Sequence, residues 1–212
     1  MLIVVEGISA AGKTSWCRKH ASGFTVPETG PRSDVPDSAS NPVAAAHYWV
    51  EESMRRWQAA RDIERSWGIA VCDTDPIKLH YPWSLWQIGV AEERVWQAQR
   101  IATRDAITNG RLGFADVYLV KSIDPERARR QRNADSTRSR RNFELHVRLL
   151  QPVMTWYRAL ETVMPGAVTW ELPEDGLAQM RRERGQPAGD IRLFDQMMDI
   201  VSRKHSYSAG TL

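Results

Sequence analysis

Eight residues near the amino terminus, Gly7-Ile8-Ser9-Ala10-Ala11-Gly12-Lys13-Thr14, carry two glycines and a Lys-Thr pair at the spacing of a phosphate-binding loop, the Walker A pattern. The glycines let the main chain curl tightly round an anion, so that successive N–H groups converge on it. Lys13 supplies a cation for the β- and γ-phosphates of a nucleotide, and the Thr14 hydroxyl a ligand for Mg²⁺. A helix beginning at Lys13 aims the positive end of its dipole at the same point. The candidate nucleotide-binding residues are therefore Gly7, Ala10, Ala11, Gly12, Lys13, Thr14 and Ser15. The expected cofactors are ATP and Mg²⁺.

Acidic residues that would finish such a site lie downstream. Asp73 closes the apolar run Ile69-Ala70-Val71-Cys72. At the end of a strand its carboxylate would reach the magnesium shell, together with Thr14, or act as base on a phosphoryl acceptor, because ligands of open α/β sheets gather beyond the carboxyl ends of strands. Asp75 stands two residues on and either faces the acceptor hydroxyl or begins a turn with Pro76. Glu28, after Val26-Pro27, is a second candidate general base, against the plainer reading of a solvated loop carboxylate. Glu6 is read as structural. His80 and Tyr81 precede Trp83 and Trp86 in a segment expected to wall the acceptor, where aromatics either stack on a flat group or pack the core.

Arg127, Arg129, Arg130, Arg132, Arg138, Arg140 and Arg141 crowd one stretch between a strand and a long helix. Guanidinium groups clamp the charge of a transferring phosphoryl group bidentately, and a closing lid excludes water. A solvated basic helix face is the alternative. In the lid reading, residues 125–142 close over the nucleotide, with Arg130 a candidate for binding it and Arg138 joining Lys13, Asp73 and Glu28 as candidate catalytic groups. Glu28, Asp75, His80 and Tyr81 are the candidate acceptor contacts.

These residues need elements to position them. Leu2-Ile3-Val4-Val5 is a short, wholly apolar run, expected for a central parallel strand covered on both faces. A helix over Lys13–His20, a strand at Phe24-Thr25-Val26 and a Pro-, Ser- and Asp-rich loop to Pro42 follow. Asn41 and Pro42 read as cap and first position of a helix running to Trp67, with Val43, His47, Val50, Met54 and Trp57 on its inner face. Further expectations are a strand at 68–72, a helix from Trp86 to Ile107, a strand from Ala115 to Val120, a helix from Phe143 to Leu160, a strand from Ala167 to Glu171 and a helix from Ile191 to Val201. Strands alternating with long helices predict an α/β fold: the P-loop NTPase three-layer sandwich, a parallel sheet flanked by helices with an Arg-rich lid, as one domain over residues 1–212.

Composition sets the outer limits. With 42% hydrophobic and 26% charged residues and a net charge of +3, the 212-residue chain has enough apolar material for a core and too little excess charge to point to nucleic acid. Two cysteines, Cys17 and Cys72, suggest neither a disulfide framework nor a zinc site. No stretch approaches a membrane span or a signal peptide, so a cytoplasmic location without a membrane partner is expected. No Asn-Lys-x-Asp guanine signature occurs.

Three stretches give the sequence its resemblance: the Gly7–Thr14 loop, the Val26-Pro27-Glu28 strand end, and Val117-Tyr118-Leu119-Val120 through Pro125-Glu126 into the arginine-rich segment and the following helix. On these it resembles the P-loop small-molecule kinases, in particular the deoxynucleoside and thymidylate kinases, with a similar layout in chloramphenicol phosphotransferase. The resemblance implies that Glu28 acts as base on a sugar hydroxyl and that arginines within 130–141 hold phosphates. Where those kinases carry an arginine after the third strand, this chain has Asp73-Thr74-Asp75-Pro76, closer to the Asp-x-Asp of shikimate-type kinases. The expected activity is transfer of the γ-phosphoryl group of ATP to a hydroxyl of a small molecule, nucleoside-like or an antibiotic-type natural product. The alternatives are a nucleoside monophosphate kinase and, from another class, a regulatory nucleotide-binding NTPase. A small-molecule acceptor is the expected partner, with a second copy of the chain as an option.

Overall fold

The computed structural model describes residues 1–30, 33–134, 142–178, 180 and 189–202. Its first strand, β1 (Leu2–Gly7), is buried along its whole length, as a strand must be when helices cover both faces of its sheet. The chain continues through α1 (Lys13–His20), β2 (Thr25–Val26), α2 (Pro42–Trp67), β3 (Ala70–Asp73), α3 (His80–Gln87), α4 (Glu93–Thr108), β4 (Val117–Lys121), α5 (Pro125–Ala134), α6 (Phe143–Arg148), α7 (Leu150–Val163), β5 (Val168–Thr169) and α8 (Ile191–Val201). The strands form one parallel sheet in the order β2-β3-β1-β4-β5.

Alternation along β1 sends Leu2 and Val4 into the larger core, with Trp83, Trp96, Tyr118, Tyr157 and Phe194, and sends Ile3 and Val5 into a smaller core with Trp16, Cys17 and Leu119. The register pairs Val5 with Asp73 and Gly7 with Lys121. The carboxyl ends of β1, β3 and β4 therefore finish at one edge of the sheet, and the chain reverses its winding direction across β1. That edge is where an open α/β sheet places a ligand.

Local signals explain the helix limits. The Asn41 side chain accepts the Ala44 N–H at 3.1 Å, Pro42 fills the first turn, and Gly68 ends α2 at φ 75°. The inner face of α2 differs from the one predicted: Val43 and His47 face solvent, while Ala46, Val50, Ser53, Trp57 and Ala60 are buried. Trp67, at the last turn, is 69% exposed. The helix predicted over Trp86–Ile107 is two helices, broken around Gly89 at φ 73°. The segment from Phe143 is likewise broken at Leu149. Pro152 has no N–H for the Arg148 carbonyl, so α6 ends there and α7 restarts with Pro152 in its first turn.

Candidate functional site

The loop after β1 has the conformation its glycines permit. Gly7 sits at φ 146°, and a Cβ there would lie 2.6 Å from the Lys121 carbonyl oxygen of the neighbouring strand. Gly12 at φ 89° leads into α1, and Ala10 is held at φ 67°, where a side chain is unfavourable. Lys13 folds back across the loop, its Nζ donating to the carbonyls of Gly7 at 2.6 Å and Ile8 at 3.3 Å. The ammonium is thereby poised over the hollow that the loop encloses.

Thr14 Oγ1 donates to Asp73 Oδ2 at 2.7 Å, joining the first turn of α1 to the end of β3. Burial raises the Asp73 pKa, against the Thr14 hydrogen bond and the Lys13 charge, which lower it. Its other oxygen, Oδ1, is buried with no hydrogen-bond partner. An orphaned carboxylate oxygen beside a threonine hydroxyl fits a hard divalent cation, directly or through its water. Among the described residues there is no group of three or more His, Cys, Asp or Glu side chains able to hold a metal. A cation here would thus need phosphate and water oxygens to complete its shell.

Behind the loop lies a buried polar cluster. Glu6 Oε1 accepts the Gly7 N–H at 2.8 Å and Oε2 the Asp75 N–H at 3.1 Å, with His80 Nε2 3.5 Å from the same oxygen. Asp75 Oδ1 accepts the Ile77 N–H at 3.0 Å, an Asx turn, and Oδ2 accepts the Tyr157 hydroxyl at 3.3 Å. That hydroxyl lies 3.5 Å from His80 Nδ1. Burial, reinforced by the Glu6 carboxylate, pushes Asp75 up to about 7. Burial lowers the His80 pKa, against the Glu6 carboxylate, which raises it. Glu6, read as structural, ties the phosphate loop to the turn after β3.

Two cations missed in the sequence complete the arrangement. Lys78, held at φ 47°, donates from Nζ to Glu28 Oε1 at 2.7 Å. Burial raises the Glu28 pKa, but Lys78, through charge and hydrogen bond, outweighs it with help from Lys13 and Arg56 and brings it down to about 2. The carboxylate is nevertheless 46% exposed. Arg56 of α2 donates from Nε to the Pro27 carbonyl at 3.2 Å and from Nη2 to the carbonyls of Asp73 at 2.7 Å and Thr74 at 2.8 Å, with Nη1 3.4 Å from the Asp75 carbonyl. An arginine among alanines and aromatics on a helical face gives little warning of such a role. A buried charge at a core position of α2 is the one signal that could have found it.

One cleft of about 990 Å³ joins these groups. The loop residues Gly7 to Ser15 line one end. Ala45, Ala46, Trp49 and Ser53 of α2, Tyr81 and Leu85 of α3, Gln99 of α4 and Leu149 and Val153 line another part, with Glu28, Arg56, Lys78 and His80 also on its wall. The structure thus brings Lys13, Thr14, Glu28, His80 and Tyr81 to a single cavity, and Asp73 directly behind Thr14. Asp75 is not among the lining residues: its carboxylate is turned inward, which corrects the expectation that it faces an acceptor hydroxyl. Trp83 and Trp86 are core residues. Both cysteines are buried free thiols pushed up to about 12 by burial, which removes them as nucleophiles.

The arginine-rich segment is described only in part. Arg129 pairs with Glu126 at 2.5 Å and with Glu144 at 2.9 Å, tying α5 to α6, and Arg132 lies 5.2 Å from the Phe143 ring centre. Arg130 is exposed on α5 and does not line the cleft. Arg138, Arg140 and Arg141 lie outside the described residues.

Comparison with solved structures gives the fold a context. The chain is similar to deoxyadenosine kinase from M. mycoides with bound dCTP, at TM-score 0.54 and 13% identity over 80% of this chain and 89% of that one. The same enzyme with products dCMP and a flexible dCDP matches at TM-score 0.54 and 13% identity over 95% and 99% of the two chains. With bound dATP it matches at 0.51 and 11% over 95% and 98%. No family model matches the sequence, and no curated protein does. The likeness is one of fold: an α/β three-layer sandwich of the P-loop type, its parallel sheet flanked by helices. Among the described residues no helix is long and apolar enough to cross a membrane.

Proposed function

We propose that this protein transfers the γ-phosphoryl group of ATP to a hydroxyl group of an uncharged, nucleoside-like small molecule. The observation that carries the reading is the single cleft with a phosphate cradle at one end and, elsewhere on its wall, an apolar and aromatic lining that includes Trp49, Tyr81 and Leu85, with the amide of Gln99 and the carboxylate of Glu28 as polar groups. Aromatic and aliphatic side chains interspersed with an amide and a carboxylate suit a ring system bearing hydroxyls.

In this reading the loop amides and Lys13 bind the triphosphate, and Thr14 and Asp73 would hold Mg²⁺, which when bound would neutralise charge on the phosphate oxygens. Glu28, ionised across the neutral range, accepts the proton of the acceptor hydroxyl. Asp73, engaged with Thr14, belongs to the metal end. Arginines of the 125–142 segment, Arg130 and Arg138 among them, steady the phosphoryl group on closure. Of the cations acting on Glu28, Lys78 is occupied by that carboxylate and Arg56 by main-chain carbonyls. A nucleoside monophosphate, the alternative acceptor, would have to displace Glu28 to find Lys78, which favours the uncharged class.

The test is ATP consumption against nucleosides, nucleoside monophosphates and hydroxyl-bearing antibiotics of the chloramphenicol type. The expected result is a low rate alone and a steep rise with one uncharged acceptor, abolished by Asp73→Asn. A rate indifferent to every acceptor would instead support a regulatory NTPase.

A further inference from the structure

We propose that Arg56 is a positioning residue for the transfer step: it fixes the spacing between the phosphate end of the cleft and the carboxylate at the acceptor end. The inference rests on the reaction proposed above and concerns a residue to which that reaction assigns no contact.

The two candidate acidic groups come from different strands. Glu28 follows β2, an element of two residues, and Asp73 ends β3, an element of four. Between these strands the paired residues are Thr25 with Val71 and Val26 with Cys72. Past Val26 the ladder stops, so strand pairing does not hold Glu28 to Asp73. Arg56 bridges that gap. Its Nε–H binds the carbonyl of Pro27, the residue before Glu28, while its Nη groups bind the carbonyls of Asp73, Thr74 and Asp75. Four of the five guanidinium N–H groups are thus spent on main chain from the two strand ends.

The backbone gripped there also needs holding. Thr74 is at φ 77° and Lys78 at φ 47°, conformations costly for residues with a Cβ. Two of the three carbonyls Arg56 binds at the end of β3 belong to Thr74 and the residue before it. Arg56 is 6% exposed, on a helix otherwise packed by Ala45, Ala46, Trp57 and Ala60. A guanidinium taken out of water at such a position is expensive unless its donors are used. Among the described residues no carboxylate forms an ion pair with it; the main-chain carbonyls of the two strand ends take the donors. Lysine keeps the charge and offers one compact donor centre, which cannot span carbonyls on two strands.

The experiment compares the unmutated protein with Arg56→Lys and Arg56→Ala. It measures MgADP affinity by calorimetry, steady-state turnover with the acceptor that stimulates the parent most, and amide hydrogen exchange. In Arg56→Lys we expect MgADP affinity within about twofold of the parent and kcat lower by roughly 10- to 100-fold, the cost of a displacement near 1 Å at a reacting pair. Exchange at the Thr74 and Asp75 amides, which bind the Val5 carbonyl and the Glu6 carboxylate, should quicken at least about tenfold. Guanidinium ion at millimolar concentration should restore part of the turnover of Arg56→Ala and none of that of Arg56→Lys. A kcat within twofold of the parent in Arg56→Lys overturns the inference, and so does loss of turnover that merely follows lost MgADP binding or global unfolding without rescue. If the parent itself shows no acceptor-stimulated turnover, the proposed reaction is what fails, a result distinct from equal turnover in parent and variant.

Discussion

Replacing Asp75 by asparagine should make this protein more stable above neutral pH and leave it unchanged in acid. The carboxyl is buried against Glu6 and its pKa stands at about 7, compared with 3.8 for an ordinary aspartate. Between those values the folded state holds a proton that the unfolded chain releases. By linkage, stability therefore falls as pH rises from about 4 to about 7, and the full fall is at most about 4 kcal/mol, from roughly three pK units at 1.36 kcal/mol each. Asparagine is nearly isosteric. Its carbonyl can accept the Ile77 N–H, and its amide can donate to the Tyr157 hydroxyl, which lies 3.5 Å from His80 Nδ1. His80 is common to both proteins, so its own titration largely cancels in the comparison. Urea denaturation followed by tryptophan fluorescence at half-unit steps from pH 4 to 8 measures the difference; nine tryptophans supply the signal. We expect agreement within about 0.5 kcal/mol at pH 4 and an advantage of more than about 1.5 kcal/mol for the variant at pH 8. Parallel curves, or a variant weaker at every pH, would refute the assignment of Asp75 as a buried acid that resists ionisation.

Three further outcomes follow from the same site. Lys13→Met should weaken MgATP binding at least about tenfold in calorimetry, since the loop amides remain but the cation facing the phosphates is gone; unchanged affinity would mean the nucleotide sits elsewhere. Gly7→Ala sets a methyl group 2.6 Å from the Lys121 carbonyl in a backbone conformation hostile to a side chain, and should lower stability by about 2–3 kcal/mol, seen as a fall of roughly 5–10 °C in Tm. Lys78→Met removes the charge and hydrogen bond that hold Glu28 at about 2, so carbon-detected NMR titration should find the Glu28 carboxyl moved up by more than a unit. In the parent that pair stabilises the fold above about pH 4.5, and the contribution disappears as pH falls toward 2.

The turn from Gly7 to Gly12 and the helix start at Lys13 were legible because they are local: the glycines act within one turn of chain, and nothing distant has to be known. The same holds for the apolar run of β1, for the Asn41 cap with Pro42, and for the stop at Gly68. Where a breaker acted against a strong apolar period, as at Gly89 and Pro152, the period suggested one helix and the structure has two. Glu28 and Asp73 were visible as carboxylates at strand ends, and Asp75 was visible with both its readings.

Sequence by itself determined that a glycine-bearing turn opens at Gly7 ahead of a helix, and that strands alternate with helices around it. Only the tertiary structure decided which way the side chains after the strands point: Asp75 inward to Ile77 and Tyr157, Asp73 to Thr14, Glu28 to Lys78. It alone brought Arg56 to the carbonyls of residues 27 and 73–75. Past the last paired residue of a strand, direction is no longer set by the two-residue pleat, but by whichever distant donors and acceptors the packing of α2 and α7 delivers to that edge.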